Sequence, residues 1–173
     1  MCEINDLQLP DFNVSGWNGL SKRWKNYFLN ILLETKNMSK DKQTKVGSIL
    51  IDTDRKTIVS SGYNGLPRNV IDKPERLTRP LKYNYTIHAE VNCVLTALRD
   101  GRPVEGKTIV CTLAPCCHCT AVIIQSGIKE IVCPSFDMNH VSCGDGYKAS
   151  LEMLKEANID VIILDIRELE CNK

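Results

Sequence analysis

No stretch of this chain approaches the roughly 20 consecutive apolar residues of a bilayer-spanning helix, which argues against an integral membrane protein built on such helices. Nor does the amino-terminal segment place a basic cluster before an apolar run, so the expectation is a soluble, cytoplasmic protein. An excess of one charge is missing too: 22 Lys and Arg face 21 Asp and Glu, a formal net charge of +1. That balance argues against a broad nucleic-acid surface and suits a small anionic ligand better than a long polyanion. Internal repeats and low-complexity tracts are likewise absent. What remains is 173 residues, 43% hydrophobic and 25% charged. This is ample for one packed domain over residues 1–173, preceded by an irregular arm at about 1–19 that carries Pro10, Gly16 and Gly19.

Cysteine is abundant, with nine residues. An odd count, the missing export signal and a Cys-x-x-Cys cluster point away from disulfides and toward reduced thiols and metal. Cys2, Cys93, Cys111, Cys133, Cys143 and Cys171 then read as packing residues or incidental thiols.

The periodicity predicts a helix from the N-cap Ser21 to about Lys36, with Trp24 and Phe28 lining the core. Val46–Ile51 and Thr57–Ser61, separated by a polar turn, predict a hairpin. Residues 62–86, with two glycines and three prolines, predict a long loop of the kind that usually carries function. Beyond it, helices at Ala89–Leu98, Cys116–Gln125 and Tyr147–Ala157 alternate with strands at Lys107–Thr112, Lys129–Cys133 and Asp160–Leu164. This pattern predicts an α/β domain with helices packed on a mixed five-stranded sheet, in which Ile109-Val110 and Val161–Leu164 are covered on both faces.

The chemistry concentrates in His88-Ala89-Glu90 and Pro115-Cys116-Cys117-His118-Cys119. Cys116 and Cys119, three apart at a helix start, bring their sulfurs to one side, and the helix N-terminus favours thiolates. His88 supplies a neutral imidazole. Three protein ligands leave tetrahedral zinc one open position, the arrangement of a catalytic site. Glu90 is then a carboxylate beside the metal, placed to move protons as general acid and base. The competing reading is a closed zinc knuckle drawing four ligands from His88, Cys116, Cys117, His118 and Cys119. That would crowd ligands into a single helical turn, so Cys117 and His118 are expected to point elsewhere.

In these residues the chain resembles the cytidine deaminase superfamily, whose signature is H-x-E…P-C-x-x-C. Ser61-Gly62-Tyr63-Asn64-Gly65-Leu66-Pro67-Arg68, with Thr112–Cys116, resembles its deoxycytidylate deaminase branch. The resemblance runs from about Lys42 to Ile163. It implies a three-layer α/β/α fold, a zinc cofactor, and hydrolysis of dCMP to dUMP and ammonia that feeds thymidylate synthesis. Glu90 would return its proton to the ring nitrogen and then to the departing ammonia. Asn64 matches the family's nucleoside-binding asparagine, although Asn-Gly is also a turn sequence. Arg68 offers a forked donor to the phosphate, with Lys42, Lys45 and the loop from Ser135 to Tyr147 as weaker candidates. Tyr147 reads either as a cover for the nucleotide or as core. Where many relatives carry glycine after Pro-Arg, this chain has Asn69. Residues 62–87 contain neither Cys nor His, so the second, structural zinc of some viral relatives is not expected.

The resemblance further implies a homo-oligomer, commonly a hexamer, with dCTP as activator and dTTP as inhibitor. The same metal and glutamate would serve dCTP or another cytosine nucleotide or nucleoside. Adenosine deamination in tRNA is disfavoured by the near-neutral charge. A non-catalytic zinc-binding module leaves Glu90 without a purpose.

Overall fold

The computed structural model describes residues 16–139 and 144–165. A 3-10 turn at Gly16–Gly19 precedes helix α1 (Lys22–Asn37) and the strands β1 (Gly47–Asp52) and β2 (Thr57–Tyr63). A 3-10 turn at Pro74–Leu77 and the one-turn helix α2 (Lys82–Tyr85) follow. Then come α3 (Ala89–Arg99), β3 (Thr108–Cys111), α4 (Cys117–Gln125), β4 (Glu130–Cys133), α5 (Gly144–Glu156) and β5 (Asp160–Ile163). No helix among the described residues is long and apolar enough to cross a membrane.

The strands form one sheet in the order β2-β1-β3-β4-β5. β1 runs antiparallel to β2 and β3, whereas β3, β4 and β5 run parallel. Parallel neighbours need a crossover, which α4 and α5 supply. The alternation of side chains along each strand sorts the core into two halves. On one face Leu50, Ile109, Cys111 and Ile131 meet Cys93 and Val94 of α3, Ile123 of α4 and Leu154 of α5. On the other, Ile49, Ile51, Val110 and Val132 meet Phe28, Leu29 and Leu32 of α1 together with Trp17. Helices thus cover both faces, and the mixed five-stranded sheet is the middle of three layers.

Two glycines set how closely the outer layers approach. Gly47 of β1 pairs with Tyr63, and the next residue, Ser48, pairs with Gly62 of β2. A Cβ on Gly47 would lie 2.6 Å from the backbone nitrogen of Lys36 in α1, and one on Gly62 would lie 2.3 Å from that of Cys93 in α3. Both distances are inside van der Waals contact, so at these adjacent positions helix backbone rests directly on strand backbone.

The structure departs from the sequence reading in three places. Residues 16–19 of the expected arm form a 3-10 turn, and Trp17 is buried against Phe28. Glu130 fastens this turn, its carboxylate accepting the Trp17 backbone N–H at 2.9 Å and the Thr108 hydroxyl at 2.7 Å. The rest of that arm, residues 1–15, lies outside the described residues. The long loop is not continuous: β2 extends to Tyr63, and the 3-10 turn and α2 interrupt what remains. Last, β5 is an edge strand and is not covered on both faces, since Ile163 is 40% exposed.

Candidate active site

The starts of two helices on one face of the sheet line a common cleft. His88 occupies the N-cap of α3 and Cys116 the N-cap of α4, and neither side chain caps its own helix. They turn toward one another. His88 Nδ1 lies 3.5 Å from Cys116 Sγ and 3.3 Å from Cys119 Sγ. All three donor atoms fall within 4.8 Å of one another, and they form the one such cluster among the described residues. Bonds of about 2.0–2.3 Å in a tetrahedron place neighbouring donors roughly 3.5–3.8 Å apart, so the spacing and the one-nitrogen, two-sulfur donor set fit zinc. The Cys117 sulfur instead lies 3.7 Å from the ring of its neighbour, the exposed His118.

The Cys119 thiol, hydrogen-bonded to Cys116, brings the Cys116 thiol down to about 3 against the effect of burial, with His88 assisting. Cys119 correspondingly holds its proton well above the ordinary thiol range, through that bond and through burial. The hydrogen bond to Cys116 also raises His88. Glu90, in the first turn of α3, is 4% exposed, and burial pushes its carboxyl up to about 6.

His88, Glu90 and Cys116 share the cleft with Asn64, Asp41 and Lys82. The Asn64 side chain is held by backbone: Oδ1 accepts the Val46 N–H at 2.8 Å and Nδ2 donates to the Thr44 carbonyl at 2.9 Å. Asp41 folds its own loop, Oδ1 accepting the N–H groups of Gln43 at 2.8 Å and Thr44 at 3.0 Å. Its other oxygen accepts Lys82 Nζ at 2.8 Å, with Asn64 Nδ2 at 3.5 Å. Burial would raise the Asp41 carboxyl, but these partners outweigh it and the net direction is down.

The fold therefore brings His88, Glu90, Cys116, Cys119 and Asn64 together. It does not bring Arg68, which is exposed and stands outside the residues lining the cleft. Asn69, beside it, has φ +67°, the left-handed conformation that asparagine tolerates better than most non-glycine residues. Lys42 is exposed, and Lys45 donates to the Asn37 carbonyl at 3.2 Å. Tyr147 is 3% exposed and packs edge-to-face on Phe136 at 5.5 Å, as a core residue does, and it also lines the cleft. Residues 140–143 of the preceding loop lie outside the described residues.

Sequence reasoning missed Asp41, Arg79, Lys82 and Tyr83, all of which line the cleft. Asp41 carried a usable signal, a short polar residue opening a turn. Nothing local marks the other three: Lys82 reaches the cleft through its bond to Asp41, distant in sequence, and Arg79 and Tyr83 stand close to it in the chain.

Residues 22–135 match the family described as the cytidine and deoxycytidylate deaminase zinc-binding region. Among individual proteins, a deaminase of Aliivibrio fischeri encoded 3′ of luxG, its activity uncharacterised, is 36% identical over 145 residues, which is 83% of this chain and 95% of that one. The mouse deoxycytidylate deaminase is 36% identical over 115 residues, 63% of each chain. A dCMP deaminase from the cyanophage S-TIM5, solved in complex with dCMP and dUMP, superposes with a TM-score of 0.66 at 21% identity. It covers 84% of this chain and 99% of its own, and at that identity the likeness is one of fold.

Proposed function

We propose that this chain, which belongs to the cytidine and deoxycytidylate deaminase family, hydrolyses dCMP to dUMP and ammonia. The observation that carries this reading is the burial of Glu90 in one cleft with an open-sided set of one imidazole and two thiol donors. His88, Cys116 and Cys119 would hold zinc, which when bound supplies the Lewis acidity that activates a water at neutral pH. Glu90 takes a proton from the attacking water and passes it to the cytosine ring nitrogen. It then takes the remaining proton from the hydroxyl newly bonded to the ring carbon and gives it to the amino group, so that the C–N bond breaks as the carbonyl forms and dCMP and water leave as dUMP and ammonia. Asn64, locked by Val46 and Thr44, shapes the wall against which the nucleoside lies and presents what remains of its amide to it.

The family membership and the likeness to the mouse deoxycytidylate deaminase support the monophosphate as substrate. Membership likewise supports a cytoplasmic homo-oligomer, activated by dCTP and inhibited by dTTP.

A panel of dCMP, dCTP, deoxycytidine, CMP and RNA, assayed for ammonia release with the zinc-loaded protein, tests the reading. The expected result is the highest kcat/KM for dCMP, with one dUMP formed per ammonia. Higher efficiency on any other member of the panel would overturn it.

A further inference from the structure

We infer that Arg79 reads the phosphate of the nucleotide and so sets the preference for a monophosphate, an assignment that rests on the dCMP reading above. Apart from His88, the cleft is lined by two cationic side chains, Arg79 and Lys82. Lys82 is already committed. It is buried, and its ammonium is paired with the Asp41 carboxylate at 2.8 Å, which leaves it little net charge to offer an anion. Arg79 is in the opposite condition: it is exposed at the cleft mouth, and no carboxylate of the described residues forms an ion pair with it.

Arg79 is nevertheless placed and not merely solvated. Its guanidinium carbon lies over the Tyr83 ring, 5.9 Å from the centroid. At that distance the face of the ring attracts the cation, and such a contact leaves the guanidinium N–H donors available for hydrogen bonds. Tyr83 in turn sits in α2 next to Lys82, so the buried Lys82–Asp41 pair anchors the turn on which the stack is built. A guanidinium presented in this way matches the oxygens of a phosphate bidentately, which a lone ammonium does not. Arg68 has the same chemistry but stands outside the cleft.

The test compares Arg79→Ala, Arg79→Lys and Arg68→Ala with the wild type on dCMP and on deoxycytidine, with zinc content confirming that each variant is folded. Arg79→Ala is expected to lower kcat/KM for dCMP about tenfold or more, the usual scale for a charge-assisted contact, and to leave deoxycytidine within about twofold. Arg79→Lys should recover part of the loss, and Arg68→Ala should leave both substrates near wild type. Product inhibition by dUMP against deoxyuridine gives the same comparison without relying on slow turnover of the nucleoside. Equal losses for the two substrates, or a phosphate-selective loss in Arg68→Ala but not in Arg79→Ala, would overturn the assignment while leaving dCMP as substrate. A wild type with no preference for dCMP over deoxycytidine overturns the functional reading itself.

Discussion

Lys82 Nζ and Asp41 Oδ2 meet at 2.8 Å with both side chains less than a tenth exposed, joining the loop before β1 to the turn before His88. The two segments are forty-one residues apart in sequence, and the pair closes one wall of the cleft between them. Removing one partner strands the other charge in a poorly solvated place. Lys82→Met should therefore destabilise by about 3 kcal/mol or more. In combination with Asp41→Asn the total should be clearly smaller than the sum of the single losses. Urea unfolding of the two single variants and the double variant measures this; additive losses would mean that the two groups do not act as a pair.

Glu90→Gln preserves the size of the side chain but removes the proton acceptor. Zinc content and the unfolding midpoint should stay close to wild type while turnover falls by roughly 100-fold or more. Stoichiometric zinc with near-normal ammonia release in the variant would remove Glu90 from its role.

Asp52 gives the fold a dependence on acid at a distance from the cleft. The Lys107 ammonium at 2.7 Å and then the Arg55 backbone N–H at 2.9 Å hold its carboxyl below the ordinary 3.8, against a smaller effect of burial. A carboxyl lowered in the folded state stabilises fully above its unfolded value, and that contribution disappears as the pH falls through the folded value. Stability should thus be flat in this respect near neutrality and decline below about pH 4, and Asp52→Asn should show a shallower decline over the same window. An identical slope in the variant, followed by urea midpoints at several pH values, would contradict the assignment.

Most of the scaffold was legible in the sequence because its signals are local. The apolar spacing of Phe28 and Leu32 matches α1, and the polar turn after Asp52 separates the two strands of the hairpin. The donor cluster was legible for a related reason: Cys116 and Cys119 lie on one helical turn, so only His88 had to be brought from elsewhere. The polar wall was not. Lys82 sits in a segment that reads as surface, and its burial follows from Asp41, a partner that no periodicity identifies. Arg68 shows the reverse case: it follows Asn64 closely in sequence, yet it is exposed and stands outside the residues lining the cleft. At Gly65, immediately after Asn64, the chain leaves the cleft wall for a two-bond bridge to Ile87, and Arg68 lies beyond that departure.

The contacts of Gly47 and Gly62 make the open end of the hairpin a gauge block. Most layers in a protein are spaced by side chains, whose sizes drift and compensate for one another over evolutionary time. At these two positions the spacers are missing, and strand backbone meets the backbone of α1 and of α3 directly. A side chain at either position would have to displace the helix against it, and for Gly62 that helix is the one that carries Glu90. The height of α3 above the sheet is thus set where the smallest residue leaves no slack, and a single methyl at Gly62 is enough to change it.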